Sequence, residues 1–403
     1  MSQDILLKEN IEKKNQEIID FLEKFEGKDY SLYGSLGNHL TLVNYGLNTN
    51  NPKYVDLGIE RIQDAISNLD LSKIHMHAYS QGLVSIGVIA GYLQDHELIQ
   101  LDDEFFEVID KVAIQYGQFF IKNDNFDYLH GSTGIGIYFS TRIKESEEAG
   151  IFLNEWIDAV YDRTKNGEIR IYDGHQSGEN EADTIITGLA HGLPPVIKLL
   201  LRLAKIYPDN KKVFDSIDAL LDFFESIRNK AENAKFHYPQ MIVKDSKEET
   251  RYINRLAWCY GDLGVAYVLL EAGQQLGKKD LEEKALHILE TTTLRKSLEE
   301  STIVDCGLCH GTAGVAHIYN RLYKWTNNEL FKEASTYWYD MTLKMGVHKD
   351  GTLGFFIPNA DERGTREDDE AGFLMGVGGI CASFQSYLYD NLDWDYILFL
   401  DQA

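Results

Sequence analysis

The sequence predicts an all-α protein, a double-layered α/α toroid built from seven helix-pair repeats. Three observations predict it. A glycine frame recurs along the whole chain, each framed glycine opens an apolar run rich in small residues, and amphipathic charge-bearing segments alternate with those runs.

The framed glycines are Gly34 (LYGSLG), Gly82 (YSQGLVSIG), Gly131 (YLHGSTGIG), Gly192 (LAHGLPP), Gly261 (CYGDLG), Gly311 (CHGTAG) and Gly376 (LMGVGG). Successive positions differ by 48, 49, 61, 69, 50 and 65 residues, enough for two helices and a loop per unit, with insertions in the longer intervals. Stretches such as IGVIAGYL, IGIYFSTRI, PPVIKLLLRL and AGVAHIYNRL follow the glycines and predict buried helices that start at the turn. Segments such as DDEFFEVIDKVAIQYGQFFIK and VFDSIDALLDFFESIRNK carry apolar residues at helical spacing with a solvated far side, and predict outer helices. Seven inner and seven outer helices close most simply into a ring, which needs no capping repeats. Pro194 and Pro195 fall in the first turn of the fourth inner helix, where proline is tolerated.

With 403 residues, 44% hydrophobic content, 6 prolines and no evident linker, the chain reads as one domain spanning 1–403. Rim insertions are expected near 165–185 (YDGHQSGENEADT) and 348–371 (KDGTLGFFIPNADERGTREDDEAG), where they would either gate a substrate or serve as plain surface loops. The first 25 residues form a charged amphipathic segment, and no run approaches 18 uninterrupted apolar residues, so a cytoplasmic, non-integral protein is expected. A formal charge of −25 argues against nucleic acid, whose phosphates need clustered Lys and Arg; it solubilises the outer helices and suits a cationic peptide.

Immediately before the framed glycines stand Tyr33, Gln81, His130, His191, Tyr260, His310 and Met375; one place earlier stand Leu32, Ser80, Leu129, Ala190, Cys259, Cys309 and Leu374. In a closed ring these positions gather at one end. Cys259 and Cys309 share one frame position in successive units and His310 adjoins the second, a donor set of two thiolates and an imidazole that suits tetrahedral zinc. Three protein ligands leave a fourth position open, as in catalytic rather than structural sites. Cys306 and Cys381 lack a matching frame position and read as core. The string CGLCH also matches a c-type haem attachment, a reading disfavoured by the absence of an export signal.

These strings in this order, with WCYG followed about fifty residues later by CHG, resemble the lanthionine synthetase C-like family, especially its stand-alone bacterial lanthipeptide cyclases. The resemblance implies zinc held by Cys259, Cys309 and His310. It also implies an acid/base histidine at His191, with Asp127, Arg255 and Tyr260 as further catalytic residues. The implied reaction is addition of a cysteine thiol to dehydroalanine or dehydrobutyrine in a dehydrated precursor peptide. In that chemistry His191 takes the thiol proton and returns one, Asp127 orients it, and Arg255 or Tyr260 either meets the enolate or holds the site together. His130, at the same frame position, is expected to touch a site residue rather than the reacting atoms. The implied setting is cytoplasmic, beside a dehydratase and an exporter at a membrane. Competing readings are a family member that adds glutathione to dehydroamino acids, and a non-catalytic peptide-binding toroid. A zinc hydrolase is disfavoured, since neither HExxH nor a deaminase motif occurs.

Overall fold

The computed structural model describes residues 3–27, 29–69, 74, 76–171, 184–244, 252, 254–356 and 371–402. Every framed glycine is the N-cap of a helix. These inner helices are α2 (Ser35–Thr49), α4 (Leu83–Asp95), α6 (Ser132–Arg142), α8 (Leu193–Ile206), α10 (Asp262–Gln275), α13 (Thr312–Thr326) and α15 (Val377–Tyr389). The outer helices are α1 (Gln3–Leu22), α3 (Pro52–Ser67), α5 (Asp103–Lys122), α7 (Glu147–Thr164), α9 (Lys211–Ile227), α11 (Lys279–Thr292) and α14 (Glu329–Met345), and a single turn, α12 (Leu298–Ser301), precedes α13.

The two sets differ as their sequences require. Inner helices are buried on nearly every side: in α10 each residue from Asp262 to Gly273 is buried. Outer helices bury one stripe, as α9 does with Val213, Ser216, Ile217, Leu220, Leu221 and Phe224. Asn51, Asp102, Ser146, Asn210 and Asn328 cap outer helices through side-chain oxygens, whereas no inner helix has a side-chain cap. Backbone N–H groups that start the inner helices are instead taken up by the preceding turns, as Ser35 N–H is by Asp29, Leu83 N–H by His77 Nδ1 and Thr312 N–H by the Asp305 carbonyl.

Contacts divide the chain into two units. One comprises His75–Leu294 with Gln402–Ala403. In it α4, α6, α8 and α10 pack side by side, each against its own outer helix. A two-stranded antiparallel sheet, β1 (Thr184–Ile186) with β2 (Met241–Val243), pairs Ile185 with Ile242 and leads into the turn before α8. Lys198 of α8 and Glu271 of α10, both buried, form an ion pair of 2.5 Å.

The other unit comprises Met1–Ile74 and Arg295–Asp401. Here α15 packs against both α13 and α2, so the last inner helix lies beside the first. Its outer partner is α1, from the opposite end of the chain, which also packs on α14. The segment Asp393–Leu398 plugs into this unit: His317 Nε2 lies 2.9 Å from Asp395 Oδ2, and Arg321 donates to the same oxygen at 3.0 Å. Of the expected rim insertions, 172–183 and 357–370 lie outside the described residues.

His39 on α2 gives this unit a pH dependence. It is 3% exposed, and its Nδ1 has no hydrogen-bond partner. Burial, and then the Arg61 cation, push its pKa down from 6.5 to about 4, against a hydrogen bond with the Gly27 backbone that pulls it up. Between those values the unfolded chain binds a proton that the folded chain refuses. Stability is thus present in full above pH 6.5 and should fall by roughly 3 kcal/mol as pH drops to 4. A His39→Asn variant, whose side chain does not titrate, should lose less between pH 7 and 4.5, read as shifts in urea midpoint.

Candidate metal centre and proton-transfer pair

The turns before α6, α8, α10 and α13 carry the site, and glycine shapes them. Gly261 adopts φ +97°, and a Cβ there would meet the Arg255 carbonyl oxygen at 2.0 Å, so the WCYG turn closes only with glycine. Gly188 lets the turn before α8 lie against this one: a Cβ would sit 2.3 Å from the Cys259 carbonyl oxygen, which also accepts the Ala190 N–H at 3.1 Å. Asp262, fully buried at the start of α10, accepts from the Tyr238 N–H (2.9 Å), the His237 N–H (3.1 Å) and Asn254 Nδ2 (2.9 Å), fixing the turn from behind.

His191 Nδ1 lies 2.7 Å from Asp127 Oδ2. A carboxylate oxygen only accepts, so this nitrogen carries a proton, and the neutral ring keeps its lone pair on Nε2. Asp127 is itself held: its Oδ1 accepts the His130 N–H at 2.7 Å, and its own N–H donates to Asn125 Oδ1 at 3.0 Å. The His191 ring stands between two others, His130 at 6.1 Å and Tyr260 at 6.0 Å between centroids. His130 Nδ1 pairs with Ser80 Oγ at 2.9 Å.

Among the described residues, one group of His, Cys, Asp and Glu side chains is spaced to hold a metal ion: Cys259, Cys309 and His310, whose ligand atoms all lie within 4.8 Å of one another. Two thiols and an imidazole are zinc's preferred soft donors, and sulfurs bound to one tetrahedral zinc lie about 3.8 Å apart for ~2.3 Å bonds. No fourth such side chain joins the group among the described residues. Burial pushes the thiols of Cys306 and Cys381 up to about 12, so both stay protonated core groups, as their positions in the sequence predict. Arg255 is half-buried, and among the described residues its guanidinium makes no hydrogen bond or ion pair.

A family profile described as lanthionine synthetase C-like protein matches residues 26–399. The chain belongs to this family. It is 22% identical over 418 residues to the nisin biosynthesis protein NisC of Lactococcus lactis subsp. lactis, covering 95% of this chain and 92% of that one. A shorter likeness, 33% identity over 91 residues, covers 23% of this chain and 22% of glutathione S-transferase LANCL1 of Danio rerio. Among solved structures, nisin cyclase matches with a TM-score of 0.74 at 21% identity, over 97% of this chain and 98% of that one. This last likeness shows the fold, an all-α α/α toroid. No helix of the described residues is long and apolar enough to cross a membrane.

Motif reading singled out Cys259, Cys309, His310 and His191, with Asp127 beside His191, but not Asn125 or Asp305 as turn supports, nor Ser80 as the partner of His130. Ser80 and Asn125 were invisible because a hydroxyl or amide in a turn ordinarily bonds its own backbone. Asp305 carried a usable signal: it stands six residues before Gly311, as Asn125 does before Gly131, and the carbonyl oxygen of each accepts the backbone N–H of the residue after the glycine.

Proposed function

We propose that the protein is a zinc-dependent lanthipeptide cyclase acting as one domain over 1–403. It would add cysteine thiols to dehydroalanine or dehydrobutyrine within a dehydrated precursor peptide to form thioether rings. The observation that carries this reading is the Cys259, Cys309 and His310 donor set in a chain that aligns nearly end to end with a nisin biosynthesis protein. Zinc bound there would present an incoming thiol, ordinarily of pKa about 8.5, as a thiolate near neutral pH.

The chain's own residues account for the proton. His191 Nε2 accepts it from the thiol while Asp127 holds Nδ1–H and steadies the imidazolium. The sulfur-to-β-carbon bond forms as the alkene π pair moves onto the carbonyl as an enolate. His191 then returns the proton to the α-carbon, so nothing leaves and the product is an isomer of the substrate. Tyr260, beside the His191 ring, and Arg255 are the groups proposed to hold the peptide or meet the enolate oxygen. The proposed setting is cytoplasmic, with a dehydratase and an exporter as neighbours.

The local likeness to a glutathione S-transferase favours a second reading, in which glutathione supplies the thiol. One experiment separates the two. A peptide carrying dehydroalanine and a cysteine is incubated with the enzyme, with and without glutathione, then alkylated and weighed by mass spectrometry. The cyclase reading expects loss of alkylatable thiol at unchanged peptide mass. Gain of one glutathione mass supports the second reading, and peptide unchanged in both respects overturns both.

A further inference from the structure

The two imidazoles of the site are each paired with a carboxylate, but through opposite ring nitrogens. His191 meets Asp127 through Nδ1, whereas His310 meets Asp305 through Nε2, 2.9 Å from Asp305 Oδ2. The carboxylate thus stands at Nδ1 of one ring and at Nε2 of the other.

Asp305 is built into the turn that carries Cys309 and His310. It is 1% exposed, its Oδ1 accepts the Gly307 N–H at 2.8 Å, and its carbonyl oxygen accepts the Thr312 N–H at 3.1 Å. Its Oδ2 has no partner of good hydrogen-bond direction, so the contact with His310 is one of charge and distance. A buried carboxylate oxygen satisfied by nothing else is costly. Asp305 is not among the grouped ligand atoms; its carboxylate lies beside the imidazole of one of them.

We propose that Asp305 is the positioning residue of the metal centre: it fixes the His310 proton on Nε2 and so presents Nδ1 as the ligand atom. The proposal rests on the zinc reading above. Neutral imidazole divides its proton between two nitrogens, and only the tautomer bare at Nδ1 can bind there. A buried carboxylate facing Nε2 selects that tautomer, sets the ring's orientation and raises the basicity of the bound nitrogen. Asp305 would thereby act on metal affinity without touching the substrate.

Zinc affinity of the purified full chain, measured by competition with a chromophoric chelator, tests this. The wild type should hold one zinc per chain, and Asp305→Asn should bind it about 10- to 100-fold more weakly with a shifted absorption spectrum of the cobalt-substituted protein. Metal-stripped Asp305→Asn should unfold at the same urea midpoint as the metal-stripped wild type. Asp305→Glu, which keeps the carboxylate, should recover most of the affinity, and it carries the test if the Asn variant does not fold. Equal zinc affinity of wild type and Asp305→Asn overturns the positioning role while the cyclase reading stands. A wild type that takes up no stoichiometric zinc overturns both.

Discussion

Cys259→Ala and Cys309→Ala should each take zinc from one per chain to near zero at micromolar metal and reduce ring closure to the uncatalysed level. The magnitude follows from the ligand count. With three donors within 4.8 Å, removal of one leaves two, too few to compete with water for a divalent ion, and the thiol loses its activation together with the metal. Metal content by elemental analysis and residual thiol by alkylation give the two readings on one sample. A variant that loses zinc yet cyclises at full rate would end the metal mechanism. The buried thiols supply the control: Cys306→Ala and Cys381→Ala should keep zinc and activity, and cost only packing stability.

His191→Ala should do the reverse, keeping zinc while ring closure slows by about 10²- to 10⁴-fold, the usual worth of a positioned acid/base group. His191 lies outside the metal group, so its loss leaves all three donors in place. Asp127→Asn tests the arrangement from behind. It keeps the shape but offers an amide where Oδ2 now accepts from Nδ1, disturbing the tautomer that frees Nε2. Its rate should fall between those of the wild type and His191→Ala, with zinc content unchanged. Unaltered single-turnover kinetics in His191→Ala would remove the histidine from the chemistry.

How much of this was legible in the sequence depends on range. The helix starts were, because a glycine turn followed by an apolar run is a local signal: Gly34, Gly82, Gly131, Gly192, Gly261, Gly311 and Gly376 are each the residue before an inner helix. The survival of α8 through Pro194 and Pro195 was legible for the same reason, since a first turn needs no N–H from proline. The repeat count was harder to complete. Only a short tail follows α15, and its outer partner proved to be α1, more than 350 residues away in the chain. A repeat frame shows that a partner is needed and cannot say which end supplies it.

The sequence by itself marked out the candidate residues: the repeat frame sets Cys259 and Cys309 two places before their glycines and His191 and His310 one place before theirs, and equivalent positions of a repeat occupy equivalent places. Only the tertiary structure placed a partner against each imidazole. The roles proposed for the two imidazoles turn on which ring nitrogen faces a carboxylate, and that was set by Asp127 at Nδ1 of His191 and Asp305 at Nε2 of His310. Asp305 is only five residues from its histidine and Asp127 is 64 from its own, so neither separation in sequence reveals which nitrogen is engaged. Ring orientation is fixed by packing, and packing is a property of the folded chain.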